Sequence, residues 1–281
     1  MPVKIVTDST ADLSPELIKE LGITVVPLYV RFGKDIYRDR EGITEDEFYK
    51  RLLQDPTHPT TTQPTPQDFA EVYRQLSSKA DGIISIHISE KLSGTCNSAL
   101  QGKKLVEKGC PIEVIDSKTT SMALGLLVMA AATIAKNGKS LPQVAEDVKQ
   151  VVSSVKLLVL FDTLKYLAKG GRIGKAKSLL GSVLNVKPML TIKDGEFVPV
   201  GQVRSRSKGI ERLFDFAKDT TDIDDLAVIH STTPDEAPIL AKRLGSIFTK
   251  ETVKVVRLGT TLGVHMGPGS LAVGFREKKP A

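Results

Sequence analysis

The sequence predicts an α/β protein of two domains. Residues 1–156 read as a Rossmann-like parallel sheet with flanking helices, and 157–281 as an α+β domain with a mixed sheet. Three observations carry this. Up to Ser154, short apolar runs that end in polar residues alternate with segments of helical spacing, the pattern of a parallel sheet. Near Leu157 the pattern changes, and Asp194-Gly195 lies between two strand-like runs, a hairpin signal. A length of 281 residues also exceeds what one small core fills.

The elements follow in order. Val3 to Ser9 is a strand; Ser14 then caps a helix with Pro15 in its first turn, and Gly22 closes it. Ile23 to Val30 is the next strand. Thr44 opens a helix running to about Leu53. Between Pro56 and Pro66, four prolines and five threonines are expected to forbid regular structure. Thr65-Pro66 restarts a helix, and Gly82 to Ile88 reads as a buried strand. Lys91-Leu92-Ser93-Gly94-Thr95 then passes from strand to helix, where ligands bind in open α/β sheets. Taken alone, Ser93-Gly94-Thr95 reads first as a helix cap and a turn, and the case for a site comes from the rest of the chain. Ile112 to Ser117 is a strand, Ser121 to Asn137 a helix apolar enough to be buried on several sides, and Ser140 to Ser154 another helix.

In the second domain, Leu157 to Phe161 is a strand, Leu164 to Lys169 a helix stopped by Gly170-Gly171, and Ala176 to Leu184 a further helix. The Asp194-Gly195 hairpin, a helix over Ser207 to Asp219, a strand at Leu226 to His230 and a helix to Phe248 come next. Val253 to Leu258 and Ser270 to Phe275 are the last strands. Between them, Gly263 to Gly269 packs three glycines and a proline into a shaped turn that would fix His265 in place.

Composition narrows the function. No apolar run is long enough to span a bilayer and no signal pattern opens the chain, so a cytoplasmic protein is expected. Cys96 and Cys110 lack metal-ligand spacing and no disulfide is expected; the four histidines form no zinc motif. A net charge of +6 without tryptophan argues against nucleic acid. Phosphate-binding and dinucleotide loops are both missing, as is a GxSxG nucleophile elbow. Ser93 with His265 as nucleophile and base lacks a placeable acid and oxyanion hole.

What the strand-end loops share is hydroxyls: Thr7 to Thr10, Thr60 to Thr65, Ser93 to Thr95, Ser117 to Ser121. Converging hydroxyls suit a carbonyl, carboxyl or phosphate oxygen better than Mg²⁺ or Ca²⁺. Asp8, Asp12 and Asp116 are expected to order loops and cap helices. Lys165, Lys169, Arg172, Lys175, Lys177 and Lys187 form an acid-free cationic run, either a solvated face or a docking patch for an acidic partner.

Several of these segments together carry a resemblance. In order they are Thr7-Asp8-Ser9-Thr10-Ala11-Asp12-Leu13, Thr61-Thr62-Gln63-Pro64, Leu92-Ser93-Gly94-Thr95, Asp116-Ser117, Leu164 to Leu167 with Lys169 to Ile173, and His265-Met266-Gly267-Pro268-Gly269. The chain resembles the DegV family of bacterial fatty-acid-binding proteins from end to end. It departs at Thr62, where serine is frequent, and at Cys96, where an aromatic is common. The resemblance implies a long-chain fatty acid such as palmitate held between the domains in a lipid tunnel, and no cofactor or metal. Its carboxyl would be bound by Thr61 and Ser93, with Thr62, Gly94 and Thr95 completing the pocket. His265 and Arg204 (or Arg206) would lie near the head group and steady phosphoryl charge. The implied partner is a separate fatty acid kinase, docking on Arg172, Lys169 and Lys175, so that this chain would not itself be an enzyme. Transient membrane-surface contact fits the same picture. The tunnel is expected to be lined from Met122 to Ala135 and by Leu164, Leu167, Ile173 and Leu180. A head-group cluster free of basic residues would partly tolerate an uncharged carboxyl. The rivals are a small-molecule kinase-like enzyme and an interaction protein with a structural lipid.

Overall fold

A computed structural model describes residues 2–179, 186–220, 222–248 and 253–278. Strand β1 (Val3–Asp8) leads through a 3-10 turn into helix α1 (Pro15–Leu21), where the Ser14 hydroxyl accepts from Leu17 N and Gly22 closes the end at φ 66°. Next come β2 (Thr24–Val26), β3 (Tyr29–Phe32), β4 (Asp35–Arg38), α2 (Glu45–Gln54), β5 (Thr60–Thr62) and α3 (Pro66–Ser77). Then follow β6 (Gly82–His87), α4 (Thr95–Lys104), β7 (Ile112–Asp116), α5 (Ser121–Ala135) and α6 (Leu141–Val152). The remainder is β8 (Val155–Leu160), α7 (Lys165–Lys169), a 3-10 stretch over Gly174–Leu179, β9 (Lys187–Lys193), β10 (Glu196–Val203) and α8 (Arg206–Lys218). It ends with β11 (Ile223–His230), α9 (Glu236–Gly245), β12 (Lys254–Arg257), α10 (Thr260–Met266) and β13 (Leu271–Glu277).

The strands form three sheets. A parallel sheet has the order β2-β1-β6-β7. A mixed sheet has the order β10-β9-β8-β13-β11-β12, in which only β11 and β12 are parallel. The Asp194-Gly195 turn joins β9 to β10 with both residues at positive φ, the geometry that matches strand twist. Helix α5 is apolar on every side and packs against β1 as well as β8, β11 and β13, so one apolar cluster runs from Ile5 and Ile86 through Leu126 to Val159 and Ala227.

Four expectations change. The strand at Ile23 to Val30 is two strands, because Pro27 lacks the N–H that a ladder needs; β2 stays in the parallel sheet while β3 starts a small antiparallel one, β4-β3-β5. The threonine stretch is not irregular throughout. Pro59 and Pro64 flank β5 without entering it, and three β-branched threonines pair with β3. The turn around His265 is largely helical, since α10 covers Thr260–Met266 and only Gly267 and Gly269 take positive φ. Finally, Gly174–Leu179 is 3-10; the rest of the helix expected to reach Leu184, with Leu180, lies outside the described residues.

Helix α10 is joined to the N-terminal half by two buried carboxylates. One oxygen of Asp39 accepts from Thr260 N at 3.1 Å, Thr260 Oγ1 at 2.7 Å and Thr261 N at 3.3 Å. Asp12 accepts from Gly259 N at 3.0 Å, from Arg40 at 2.6 Å and from Ser121 Oγ at 2.7 Å. Replacing Asp39 by Ala strands these donors in the interior. A loss of about 3 kcal/mol in unfolding free energy is expected in chemical denaturation, whereas a change below about 1 kcal/mol would show that Asp39 does not anchor α10.

Candidate functional site

A cavity of about 190 Å³ opens where β5, the loop after β6, and α10 meet; its lining includes Thr61, Thr62, Gln63, Ser93, Thr120, Arg172, Thr261 and His265 on the polar side. Leu28, Ile88, Leu92, Phe197, Leu262 and Met266 supply the apolar walls. No Asp or Glu is among the described lining residues. Nor do three metal-ligating side chains gather anywhere among the described residues.

Each polar group is placed by its own element. β5 pairs Thr61 with Val30, and the Thr61 hydroxyl lies 2.8 Å from His265 Nε2 on α10. Ser93 precedes α4, whose N-cap is Gly94 and has no side-chain cap. The Ser93 hydroxyl therefore does not cap the helix; it pairs with Thr95 Oγ1 at 2.8 Å. Gln63 lies across Gly94 so closely that a Cβ there would strike its side-chain amide, and its Nε2 donates to Ser98 Oγ at 2.9 Å. Arg172 donates through Nε to Leu92 O at 3.1 Å and through Nη1 to Gly170 O at 2.7 Å, and it has no carboxylate partner among the described residues. Burial pushes the His265 pKa down to about 3, helped by the fields of Arg172 and His58, so the imidazole is neutral near pH 7.

Thr61, Thr62, Ser93 and His265 thus share one cavity. Gly94 and Thr95 stand behind Ser93 and are not in its lining. Arg204 is exposed beyond β10 and Arg206 is bound to Glu236 and Gly269 O; neither lines the cavity. Arg172 is part of the wall as well as exposed, so the head-group cluster is not free of basic residues as expected. Lys169 is exposed, and Lys175 pairs with Glu196 at 2.8 Å. Met122 and Leu126 of α5, with Leu164 and Leu167, are packed in the core and absent from the lining. Residues that sequence reasoning did not assign individually include Gln63, Thr120, Thr261, Phe197 and Leu262; of these, Gln63 sat in the threonine motif and Thr120 in the Ser117 to Ser121 hydroxyl loop.

A second polar constellation is buried away from the cavity. Tyr73 O–H donates to Ser85 Oγ at 2.8 Å, Ser85 pairs with His87 Nε2 at 2.7 Å, and His87 Nδ1 reaches Asp8 Oδ2 at 3.0 Å. All four side chains are fully buried and Asp8 also accepts from Ile88 N at 3.0 Å. The serine is already occupied on both sides, so the chain of bonds locks β1 to β6 and presents no nucleophile. The sequence signal was two polar residues, Ser85 and His87, on one face of an otherwise isoleucine-rich strand.

Against known proteins, the chain matches the family described as "Uncharacterised protein, DegV family" over residues 2–278. The chain belongs to the DegV family. A DegV domain-containing protein of Caldanaerobacter subterraneus subsp. tengcongensis is 37% identical over 282 residues, covering 98% of this chain and 99% of the relative. One from Streptomyces coelicolor is 38% identical over 275 residues, covering 96% and 97%. Among solved structures, a fatty-acid-binding DegV family protein from Thermus thermophilus superposes with a TM-score of 0.90 at 34% identity, covering 99% of this chain and 100% of that one. A stearic-acid-binding protein from Eubacterium ventriosum gives 0.88 at 30% identity, covering 98% of both. The two-domain α/β architecture is therefore that of the DegV fold.

The depressed His265 pKa sets a pH dependence. Between the unfolded value of 6.5 and about 3, the unfolded chain holds a proton that the folded chain lacks, so His265 erodes stability as pH falls. The slope from this residue is about 1.4 kcal/mol per pH unit in that window. Denaturation of His265→Gln between pH 7 and 4 should show a shallower decline than the wild-type chain; equal declines would place the loss elsewhere.

Proposed function

We propose that this chain binds a long-chain fatty acid in the cavity and presents its carboxyl to a separate ATP-dependent fatty acid kinase that forms the acyl phosphate. One observation carries the reading: hydroxyls and a guanidinium with no acid partner share a cavity with apolar side chains, and no carboxylate lines it among the described residues. That set suits an anionic oxygen pair joined to an apolar chain. The fatty-acid binding of the Thermus thermophilus and Eubacterium ventriosum proteins supports it. Residues 1–156 would supply the hydroxyl loops and 157–281 the opposite wall.

Affinity in this reading comes from the tail. Fifteen or so methylenes at roughly 0.8 kcal/mol each give on the order of 12 kcal/mol before the costs of association. The cavity of about 190 Å³ is little larger than one that takes a benzene ring, so a long chain needs its walls to separate on entry. Thr61, Ser93 and Arg172 then locate the head, and Arg172 favours the ionised carboxylate over the acid. His265, 2.8 Å from the Thr61 hydroxyl, would stand as a neutral imidazole close to the head group where phosphoryl charge develops. Lys165, Lys169 and Lys177 are exposed beside the Arg172 segment without acid partners among the described residues, and they offer the kinase a cationic approach. Phosphoryl transfer itself belongs to the kinase.

Native mass spectrometry of the purified chain should show a retained acyl mass. Ser93→Ala and Arg172→Gln should each weaken fatty acid binding by about tenfold to a hundredfold, the worth of a charge-assisted hydrogen bond, with unchanged thermal melting. Unaltered affinity in both variants would overturn the site. Acyl phosphate made from ATP by this chain alone would instead mark it as an enzyme.

A further inference from the structure

The hydrogen bond between Thr61 and His265 has two possible directions, and the packing around the imidazole chooses between them. His265 Nδ1 is buried and has no hydrogen-bond partner. It faces Gly170 so closely that a Cβ on that residue would collide with it. Gly170 cannot draw aside, because its N–H donates to Tyr166 O at 2.9 Å and its carbonyl accepts from Arg172 Nη1 at 2.7 Å. A proton on Nδ1 would be a buried N–H without an acceptor, the orphan that folded proteins avoid most strictly; a bare lone pair is tolerated better. The proton therefore sits on Nε2 and is donated to Thr61 Oγ1 at 2.8 Å. With its oxygen accepting from the ring, the Thr61 hydroxyl is left to donate its own hydrogen to a ligand.

We propose that Gly170 is a positioning residue: by seating His265 as its Nε2–H tautomer, it makes Thr61 a hydrogen-bond donor to the ligand's oxygen. No side chain other than hydrogen fits at Gly170, although its backbone does not demand glycine. Its φ is −78° and its ψ −4°, a helical geometry that alanine adopts freely. The requirement is contact with the ring. The charged or titratable groups whose fields act on His265 are Arg172 and His58, and both disfavour a second proton on the imidazole. Thr61 and Arg172 are then both donors, and the charge of the guanidinium makes the site favour an anionic head group over a neutral one of the same chain length. This selectivity rests on the fatty-acid reading of the cavity; the tautomer does not.

The test uses the full chain, ligand-free and ¹⁵N-labelled. Long-range ¹H–¹⁵N spectra, with the His265 signals identified by their loss in His265→Gln, report the tautomer directly. The wild-type chain should show a neutral Nε2–H ring at pH 6. Gly170→Ala should displace it toward a mixture of tautomers and a ring that protonates at higher pH. Displacement of a fluorescent fatty acid by palmitate should weaken tenfold or more in Gly170→Ala. An Nδ1–H ring in the wild-type chain, or identical His265 spectra in the two proteins, would overturn the proposal. Should Gly170→Ala fail to fold, the wild-type spectrum still decides the direction of the bond. Should the wild-type chain bind no fatty acid, the reading of the cavity falls, while the pair of spectra continues to judge Gly170.

Discussion

The Asp12 carboxylate is the point on which the two halves of the chain depend. It accepts from Gly259 at the start of α10, from Arg40 and from Ser121 at the start of α5. Asp12, Arg40 and Ser121 all lie in the left-handed region, at φ 53°, 64° and 57°. That conformation costs an L-residue with a side chain on the order of 1–2 kcal/mol, and here two such residues, Arg40 and Ser121, both donate to the carboxylate of the third. The strain is held in place by the carboxylate that unites them. Burial works against the charge on Asp12 and pushes its pKa up, while Arg40, Ser121 and Gly259 pull it down. Asp39 adds a second acceptor to the same helix start. The cavity follows from this junction: α10 is a short C-terminal helix lodged among N-terminal elements, with Val264 in the Phe48 cluster and His265 against Thr61.

The molecule holds two histidine networks, and their contrast explains what each does. The Asp8–His87–Ser85–Tyr73 chain is saturated: every donor has an acceptor and nothing is exposed. Such a network fixes strand register and has no bond left for a ligand. The Thr61–His265 pair is open at both ends, with Nδ1 bare against Gly170 and the Thr61 oxygen in the cavity wall. One histidine therefore belongs to the fold and the other to the site, though sequence gives them the same residue type.

Much of the fold was legible because it rests on local rules. Ser14, Pro15 and Gly22 bound α1, Asp194-Gly195 makes the hairpin, and the apolar run after Ser121 makes a helix buried between two sheets. The hydroxyl loops were legible too, Ser93 because it lies between a readable strand and a readable helix, and Thr61 because its stretch is so rich in threonine. What stayed hidden depends on partners far along the chain. β5 is a strand only because β3 lies beside it. Thr260–Met266 is helical because Asp39, more than 200 residues earlier, accepts its first N–H groups, with a separation of 221 to Thr260. Arg172 read as a surface charge because nothing local says that its guanidinium is drawn to Leu92 O and so into the wall.

That last placement shapes the chemistry. Hydroxyls alone would hold a carboxylic acid and a carboxylate with similar ease, since each O–H both donates and accepts. Adding a guanidinium that can only donate breaks the symmetry in favour of the anion. With the proposed tautomer, the neutral imidazole adds no charge, occupies one lone pair of the Thr61 oxygen and leaves its hydrogen free. Leu92 O and Gly170 O fix Arg172 through its Nε and Nη1 and so hold the guanidinium in the wall. In the fatty-acid reading proposed for this cavity, the head group would be located by groups already held in place, and the affinity left to the apolar walls.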